Sequence, residues 1–438
     1  MAGANSKPDI RPGRLDRNEI DDNFSDLHPP LTRPEALIEA DRCYFCFDAP
    51  CITACPTGID IPVFIQKIRS GNIKGSAKTI LSENIMGGMC ARVCPTEVLC
   101  EEACVRNTHE EKPVEIGLLQ RYATDPIFDD NLQLFERAPA SGKKVAVVGG
   151  GPAGLSCAHR LAMLGHDAVI FNRDSKPGGL NEYGIAAYKT IDNFAQAEVD
   201  YILSIGGIEI RNNCALGSEI KFDELLADFD AVFIGIGLAE SNHLGIEGED
   251  LDGVINAIEY IAELRQAEDK SELPVGRNVV VIGGGMTAID VAVQSKRLGA
   301  ETVHMVYRRG PEQMSASVFE QALAQTSNVT IHHWASPEKI LGDDHVTGIE
   351  FRHESSNDGI HLDADIVFKA IGQNMDSNGL ESLTTESGRF VVDIHQKTSL
   401  DRVWAGGDCV VGGDDLTVSA VQHGKIAAIS IDDYLRDS

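Results

Sequence analysis

Residues 143–171, KKVAVVGGGPAGLSCAHRLAMLGHDAVIF, contain the sequence pattern that decides the fold. An apolar run ends at a glycine-rich turn, a helical pattern follows the turn, and a second apolar run closes the stretch. This order predicts a βαβ unit, whose turn lets backbone approach a pyrophosphate at the start of the helix. We therefore expect a dinucleotide-binding fold with these residues at the phosphates: Gly149, Gly151, Ala153 and Gly154.

The same pattern recurs at residues 278–307, NVVVIGGGMTAIDVAVQSKRLGAETVHMVY. Its turn is Gly283-x-Gly285-x-x-Ala288, and this type of turn tolerates alanine at its third position. Two such openings in one chain imply two dinucleotide-binding folds. FAD in one fold and a nicotinamide dinucleotide in the other is the pairing that we expect of a flavin enzyme.

In each βαβ unit, the residue at the end of the second strand indicates which nucleotide the fold prefers. Asn172 stands where an acidic residue usually holds the ribose hydroxyls, and its amide can still accept one hydroxyl hydrogen. The alternative is a surface asparagine without a role. Arg308 and Arg309 follow the corresponding strand of the second fold, where arginines can clamp a 2′-phosphate. They favour NADPH over NADH, unless they are only solvated charges on a loop.

Three internal segments fit an FAD-binding fold interrupted by a second domain. Residues 177–180, PGGL, form a turn that lets backbone approach a flavin. Residues 231–237, AVFIGIG, and 367–372, VFKAIG, are expected strands that end in glycine, where the chain could cross between domains. The alternative for each segment is an ordinary buried strand or turn.

The C-terminal region adds a strand at VWAGGD and a helix from about residue 417 to 434. Gly407 and Asp408 precede this helix and could bind the ribityl-phosphate part of FAD. The helix begins near Thr417 and Val418, so its positive end could lie at the flavin and stabilise the anionic reduced form.

Eleven cysteines are present, and eight of them lie between Cys43 and Cys104. Their spacing is Cys-x2-Cys-x4-Cys-x3-Cys-Pro in the first run and Cys-x3-Cys-Pro-x4-Cys-x3-Cys in the second. Eight thiolates can hold two [4Fe–4S] clusters, and a cysteine followed by proline is a ferredoxin feature. Zinc is the main alternative, but zinc knuckles favour two CxxC pairs and this region has one. Free or disulfide-bonded thiols are the third possibility.

The other cysteines, Cys157, Cys214 and Cys409, are expected to be packing residues. Neither nucleotide-binding fold contains a CxxC pair, which argues against a dithiol mechanism of the thioredoxin reductase type.

Charge and hydropathy exclude several functions. The 38 basic and 67 acidic residues leave a net charge of −29, which disfavours binding to nucleic acid or to an anionic membrane. No apolar run is long enough for a transmembrane helix, and the N-terminus lacks the apolar core of a secretory signal. The expected location is the cytoplasm, where thiols stay reduced.

The sequence predicts the following domain order. Residues 1–140 form an N-terminal arm and a helical iron–sulfur domain, 141–242 the first part of the FAD domain, 243–373 the NAD(P) domain, and 374–438 the second part of the FAD domain. About the first 35 residues show no periodicity. One helix has clear ends, because Asp60 can cap it and Gly71 can stop it.

Five motifs together carry a resemblance to a known family. They are CYFCFDAPCITACPTGIDIPVFI, CARVCPTEVLCEEAC, GGGPAGLSCA, IGIGLAESN and WAGGDCVVG. From about Pro34 onward, the chain resembles the electron-input subunits of bacterial NAD(P)H-dependent dihydropyrimidine dehydrogenases, within the wider glutamate synthase small-subunit family. The resemblance implies an α/β flavoprotein with an N-terminal helical iron–sulfur domain and two Rossmann-like domains, the NAD(P) domain being inserted into the FAD domain.

The resemblance also implies ligands for two [4Fe–4S] clusters. One cluster would be held by Cys43, Cys46, Cys51 and Cys104. The other would be held by Cys55, Cys94, Cys100 and Gln120. From the cysteine spacing alone, Cys90 would replace Gln120 as the fourth ligand. The assignment of Gln120 therefore depends on the resemblance. Its alternative is a polar helix residue without a ligand role.

Nucleotide contacts follow from the same resemblance. It implies FAD contacts at Gly179, Leu180, Lys189, Asp408 and Thr417. It implies nicotinamide contacts at Gly284, Gly285, Met286, Thr287, Arg308, Arg309, Ala370 and Gly372. The chain departs from the family at Ala186, Asn172 and Ser315, which bears on FAD and NADP affinity rather than on the fold.

The expected function is NAD(P)H oxidation, with electrons passing through FAD and two clusters to a partner subunit. By resemblance, that partner carries FMN and iron–sulfur clusters and reduces uracil and thymine. The runner-up is the small subunit of a glutamate synthase. A hypothesis of another class is a zinc-bearing scaffold on a flavoprotein fold without electron transfer.

Overall fold

The computed structural model describes residues 9–437. The first eight residues of the expected arm and the final Ser438 lie outside the described residues. The α-helices are α1 (Arg17–Asn23), α2 (Arg33–Asp41), α3 (Pro50–Ala54), α4 (Ile61–Arg69), α5 (Ile73–Glu83), α6 (Gly87–Val93), α7 (Asn107–Glu110), α8 (Ile116–Asp129), α9 (Pro152–Met163), α10 (Leu180–Tyr183), α11 (Phe194–Leu203), α12 (Phe222–Asp228), α13 (Ala257–Gln266), α14 (Met286–Arg297), α15 (Val318–Thr326) and α16 (Thr417–Asp437).

The strands follow in chain order. They are β1 (Lys144–Val148), β2 (Asp167–Phe171), β3 (Ile208–Arg211), β4 (Ala231–Ile234), β5 (Glu240–Ser241), β6 (Val254–Asn256), β7 (Asn278–Ile282), β8 (Thr302–Val306), β9 (Thr330–His332), β10 (Ala335–Gly342), β11 (Val346–His353), β12 (Gly359–Asp363), β13 (Ile366–Lys369), β14 (Gln373–Asn374), β15 (Thr385–Glu386), β16 (Arg389–Phe390) and β17 (Val403–Ala405).

The chain divides into two compact units. The inserted unit comprises the described part of Met1–Leu27, together with Tyr183–Ile191 and Ser241–Gln373. The main unit comprises His28–Glu182, Asp192–Glu240 and the described part of Asn374–Ser438. Both contain parallel sheets and helices, so the expected α/β fold class is confirmed.

A five-stranded parallel sheet in the order β17-β4-β1-β2-β3 forms the centre of the main unit. Residues 145–148 at its middle are buried, which explains their continuous apolar sequence. Helices α9 and α16 pack against each other. The predicted strands at residues 231–237 and at VWAGGD are β4 and β17.

The cysteine-rich part of the main unit consists of short helices around an apolar cluster that includes Phe64, Ile80 and Leu119. Helix α4 begins as the sequence predicts, because the Asp60 side chain accepts a hydrogen bond from the Val63 N–H at 3.1 Å. The helix ends at Arg69, close to the expected stop.

The inserted unit has a parallel sheet in the order β6-β13-β7-β8-β9 and an antiparallel sheet of β10, β11 and β12. The βαβ unit predicted at residues 278–307 is β7, α14 and β8. Helix α14 begins immediately after the glycine-rich turn, with Gly285 as its N-cap.

The N-terminal region differs from the expected irregular arm. Asp16 and Glu19 form a reciprocal capping box that starts α1. Ile20 and Phe24 are 3% and 6% exposed and belong to the apolar core of the inserted unit. This segment has no visible periodicity because two buried apolar side chains are too few to define one, and their partners lie far along the chain.

Within residues 9–437, no helix is both long enough and apolar enough to cross a bilayer.

We expect Phe24→Ala to lower the stability of the inserted unit by about 3 kcal/mol, because it leaves a cavity in a packed core. Thermal unfolding followed by circular dichroism measures this change. Phe47→Ala is the matched control, since Phe47 is 99% exposed and its loss should cost less than about 0.5 kcal/mol. Equal melting temperatures for the two variants would show that the N-terminal segment does not stabilise the unit.

Candidate cofactor sites

The candidate FAD site is built around the turn between β1 and α9. Gly149 has a φ of +107°, and a Cβ there would lie 2.2 Å from the carbonyl oxygen of Gly235, just after β4. Only glycine fits such a position. The Gly149 N–H donates to the carbonyl oxygen of Phe171 at 2.8 Å, which ties the turn to the end of β2. The N-terminus of α9 is thereby held at the sheet edge where pyrophosphates bind.

Separated segments of the main unit meet at this turn. A Cβ at Gly179 would come 2.8 Å from the Cα of Gly151, and a Cβ at Gly407 would come 3.2 Å from that of Ala153. A Cβ at Gly151 would come no closer than 3.8 Å to its nearest described neighbour beyond the adjoining residues, the Cα of Gly179, so this side of the backbone is open to a bound group. The Thr417 hydroxyl donates to the Asn181 side-chain oxygen at 2.7 Å.

Residues predicted to bind FAD are therefore concentrated in one region of the main unit, which fits a dinucleotide. The predicted FAD-binding residues that lie at this turn, by their own contacts or those of adjacent residues, are Gly149, Gly151, Ala153, Gly154, Gly179, Leu180, Gly407, Asp408, Thr417 and Val418. Sequence reasoning missed Asn181, which directly follows the PGGL turn, and did not single out Gly235 within residues 231–237.

Asn172 is only 4% exposed, so the alternative of a surface asparagine is wrong. Its amide nitrogen donates to the backbone oxygens of Asp174 and Lys176 and to the Asn212 side chain, at 2.9–3.0 Å. These bonds fix the loop after β2. Because the amide nitrogen is engaged by the loop, the group that Asn172 offers to a ribose hydroxyl is its carbonyl oxygen.

Asp408 lies next to Gly407, just after β17. Burial, together with the nearby acidic Asp415 and Asp414 and against the attraction of Arg389, raises the pKa of its carboxyl to about 7. At neutral pH the carboxyl is therefore partly protonated. It can donate as well as accept a hydrogen bond, which suits a polyhydroxylated ligand.

Lys189 lies in the inserted unit, whereas the other predicted FAD residues lie in the main unit. Its ammonium forms ion pairs of 2.8 Å with Asp290 on α14 and Glu320 on α15. Burial alone would lower the pKa of Lys189, but the two carboxylates raise it above its usual value. The sequence did not reveal this pairing, because the three residues are far apart in the chain.

The candidate nicotinamide site is the turn between β7 and α14. Gly283 has a φ of +151°, and a Cβ there would lie 2.2 Å from the carbonyl oxygen of Ala370. The turn is therefore closely packed against the end of β13. The Tyr307 ring lies against Gly284 and the Ser315 hydroxyl lies against Gly285. Met286 and Thr287 are the first residues of α14, and Gly372, with a φ of +91°, follows β13.

Arg308 and Arg309 follow β8 at the same carboxyl edge of the sheet, and both are exposed. Among the described residues, neither forms an ion pair. Two exposed guanidinium groups at this edge fit an anionic 2′-phosphate.

Four of the cysteines line one cavity of the main unit. These are Cys43, Cys46, Cys51 and Cys104, and Ile61, Ile65 and Ile116 lie around them. Burial, with smaller contributions from the neighbouring Cys43 and Cys104, raises the pKa of the Cys51 thiol to about 12. Crowded thiols in an apolar cavity become stable thiolates only with a compensating cation, as when they bind iron. The cavity therefore fits an iron–sulfur cluster.

The remaining predicted ligands lie near α6. The Cys90 side chain hydrogen-bonds with Cys94, and this contact and burial raise the pKa of Cys94, with smaller contributions from Cys100 and Cys55. Cys55 Sγ also lies 3.3 Å from the Thr57 hydroxyl oxygen. Within residues 9–437, no three His, Cys, Asp or Glu side chains converge as ligands of a single metal ion.

Gln120 is 7% exposed on α8, and its side-chain nitrogen donates to the Gly87 carbonyl oxygen at 2.7 Å. Its amide therefore lies at the start of α6, the helix that carries Cys90. Both candidates for the last ligand of the second cluster are thus associated with α6, and the choice between them stays a prediction.

Glu198 on α11 supports α6 and was not found from the sequence. Its Oε1 accepts hydrogen bonds from the N–H groups of Gly88 and Met89, at 2.9 and 3.0 Å. Burial raises the pKa of this carboxyl to about 8 against the effect of these bonds and of Arg92. The residue gives no sequence signal, since a glutamate in a helix is usually solvated.

Comparison with known proteins agrees with this combination of sites. Residues 143–424 match the pyridine nucleotide-disulphide oxidoreductase family. The chain belongs to this family. Residues 20–132 match a second family, described as dihydropyrimidine dehydrogenase domain II, 4Fe-4S cluster. The chain is therefore an NAD(P)H-dependent flavoprotein oxidoreductase that uses FAD and iron–sulfur chemistry for electron transfer, as the sequence predicts.

Curated relatives align over nearly the whole chain. The NAD-dependent dihydropyrimidine dehydrogenase subunit PreT homolog of Salmonella typhi is 33% identical, covering 95% of this chain and 98% of that protein. PreT of Escherichia coli K12 is also 33% identical, with coverages of 94% and 97%. The glutamate synthase [NADPH] small chain of Escherichia coli K12 is 34% identical, covering 94% of each chain.

Solved structures with a similar fold include two thioredoxin reductases. The T. acidophilum enzyme has a TM-score of 0.54 at 21% identity and covers 67% of this chain and 99% of that one. The Lactococcus lactis enzyme has a TM-score of 0.56 at 20% identity and covers 68% and 100%. At these identities the likeness concerns the fold alone, which is the predicted flavoprotein with two dinucleotide-binding domains.

The raised pKa of Glu198 predicts a pH-dependent stability. Between about pH 4.5 and 8 the unfolded carboxyl is ionised while the folded one keeps its proton, so wild-type stability falls as the pH rises through this range. Gln is uncharged and can accept the same hydrogen bonds. Glu198→Gln should therefore gain in melting temperature relative to wild type from pH 5.5 to 8, and the difference should level off above pH 8.

Two further variants sharpen this test. Glu198→Ala leaves two buried N–H groups without acceptors and should lose about 1–3 kcal/mol at every pH. Glu209→Gln, at an exposed position on β3, is the control without a pH-dependent difference. A constant offset between Glu198→Gln and wild type across the pH series would contradict a raised pKa.

Proposed function

We propose that this chain is the electron-input subunit of a hetero-oligomeric, cytoplasmic dihydropyrimidine dehydrogenase. The observation that carries the proposal is the alignment with the Salmonella subunit, which spans 98% of that relative and 95% of this chain. The match of residues 20–132 to a dihydropyrimidine dehydrogenase cluster domain supports it. Several relatives are named as subunits, which supports a partner chain.

The residues would divide the work as follows. The turns at Gly149 and Gly283 hold the pyrophosphates of FAD and of the nicotinamide dinucleotide by backbone groups at helix N-termini. Bound FAD supplies the chemistry that converts a two-electron hydride into single electrons for the clusters. No side-chain nucleophile is required, so the protein acts by positioning the cofactors.

Two [4Fe–4S] clusters would occupy the cysteine-rich region. Their ligands are Cys43, Cys46, Cys51 and Cys104 for the first, and Cys55, Cys94, Cys100 and Gln120 for the second. The cavity lined by the first four cysteines supports the first set. The influence of Cys55 and Cys100 on the pKa of Cys94 supports the second.

NADPH is the proposed reductant. Arg308 and Arg309, which are exposed and form no ion pair within residues 9–437, support a 2′-phosphate at the end of β8. In contrast, the relatives with PreT in their names are called NAD-dependent.

The partner would be a subunit with FMN and iron–sulfur clusters that reduces the 5,6 bond of uracil or thymine. A second candidate function is electron supply to glutamate formation, because the glutamate synthase small chain of Escherichia coli is 34% identical. The two functions differ in the partner and the substrate, not in the sites of this chain.

An anaerobic pull-down from the native host distinguishes the two functions. We expect a co-purifying FMN and iron–sulfur chain, and uracil-dependent NADPH oxidation by the pair that is faster than with NADH. A partner with a glutamine amidotransferase domain, and 2-oxoglutarate-dependent oxidation instead, would replace this function by the second. Faster oxidation of NADH would reverse the proposed roles of Arg308 and Arg309.

Gln120→Ala should remove iron from one cluster or change its spectrum, because the variant lacks the proposed fourth ligand. Iron and sulfide content and the electron paramagnetic resonance of the reduced protein measure this. Gln120→Glu should retain the cluster, since a carboxylate can also ligate iron. Cys90→Ala is the matched control. Normal clusters in Gln120→Ala, together with iron loss in Cys90→Ala, would assign the position to Cys90.

A further inference from the structure

Trp334 is an aromatic residue at the carboxyl edge of the parallel sheet in the inserted unit, and the proposed function does not use it. Trp334 follows β9 after His333, at the edge where the turn after β7 and the arginines after β8 also lie. Because β7, β8 and β9 are adjacent and parallel, their carboxyl ends meet in this order. A dinucleotide that begins at the turn after β7 and reaches Arg308 therefore extends towards Trp334.

Direct contacts connect Trp334 to the arginine loop. The Trp334 N–H donates to the carbonyl oxygen of Arg309 at 3.1 Å, and the Ala335 N–H donates to that of Tyr307 at 3.2 Å. The indole also lies beside the loop, since a Cβ at Gly310 would come 3.0 Å from its Cζ2 atom. The position of the indole is thus fixed relative to the proposed 2′-phosphate site.

Packing of the fold does not explain the conformation of Trp334, which has a strained backbone and an exposed side chain. Its φ is +55°, a left-handed value that is rare for a bulky residue. Its side chain is 47% exposed, whereas Trp404, the other tryptophan of the chain, is fully buried. The His333 ring meets the indole edge-on at 5.7 Å and limits its rotation. Backbone strain together with an exposed, oriented aromatic ring indicates a ligand contact.

We propose that Trp334 is the adenine-stacking residue of the nicotinamide dinucleotide site. This inference rests on the proposed function only in requiring a dinucleotide at the turn after β7. The indole stacks on the adenine ring, while Arg308 and Arg309 bind the phosphate on the adjacent ribose. Trp334 thus contributes to affinity for the adenosine end of both NADPH and NADH, and the arginines discriminate between them.

The test uses the purified holoenzyme and two probes that carry no nicotinamide, namely 2′,5′-ADP and 5′-AMP. Isothermal titration calorimetry gives the Kd of each probe for wild type, Trp334→Ala and Trp334→Phe. Since stacking of a base on an aromatic side chain is worth about 1–3 kcal/mol, we expect Trp334→Ala to weaken both probes roughly 5- to 150-fold. Trp334→Phe should retain most of the affinity.

Intrinsic fluorescence supplies a second readout. The chain has only two tryptophans, and Trp404 is buried in the main unit. Saturating 2′,5′-ADP should change the emission of wild type, and the change should be absent in Trp334→Phe. Phe47→Ala, which removes a different exposed aromatic ring, is the control with unchanged Kd values. Flavin absorbance and circular dichroism check that each variant is folded.

Each outcome bears on the inference. Kd values of Trp334→Ala within about twofold of wild type for both probes would overturn the stacking inference. If NADPH still reduces the flavin in that case, the proposed function stands. Loss of 2′,5′-ADP binding alone would also overturn it, because Trp334 would then act at the phosphate rather than at adenine. If wild type binds neither probe and neither NADPH nor NADH reduces the flavin, the inference and the proposed function fail together.

Discussion

The backbone of α16 approaches that of α9 so closely that a Cβ at Gly424 would lie 2.1 Å from the carbonyl oxygen of Ala153. A hydrogen bond of 2.7 Å from the Ser156 hydroxyl to the Val421 carbonyl oxygen joins the same two helices. Because Ala153 lies in the first turn of α9, next to the glycine turn of the candidate FAD site, this contact fixes α16 relative to that site. The position of Thr417, at the start of α16, follows from it.

The same helix also holds the cysteine-rich region. Lys425 is 8% exposed, and its ammonium donates to the backbone oxygens of Thr57 and Glu83 and to the Glu83 carboxylate, at 2.9–3.1 Å. Thr57 in turn lies beside the sulfur of Cys55. A buried ammonium without these partners would be strongly destabilising. One helix thus positions parts of both cofactor regions of the main unit.

The sequence predicts those features whose cause is local. The glycine turns are recognisable because a strand, a tight turn and a helix follow one another within about 30 residues. The start of α4 is recognisable because Asp60 caps a backbone group three residues away. The cysteine spacing likewise identifies an iron–sulfur region, although it favours Cys90 where the family resemblance favours Gln120.

Features that depend on distant partners are not predictable in this way. The burial of Ile20 and Phe24, the ion pairs of Lys189 and the role of Glu198 under α6 each arise from residues that the fold brings together. The role of Trp334 is also not predictable from the sequence, because a single tryptophan in a polar segment has no periodicity. Its relation to the arginine loop follows from the pairing of β8 with β9.

The main unit is interrupted in the sequence, and this affects the order in which it can fold during synthesis. Strand β4 pairs with β1 on one side, but its other edge is covered only by β17, which emerges from the ribosome after the whole inserted unit. Until then, β4 presents an unpaired apolar edge, a common starting point for aggregation. The nascent chain can complete the inserted unit while the main unit is still open. Cofactor loading of the main unit therefore depends on the last helix, so translation that stops before α16 should yield a folded insert within an incomplete flavoprotein.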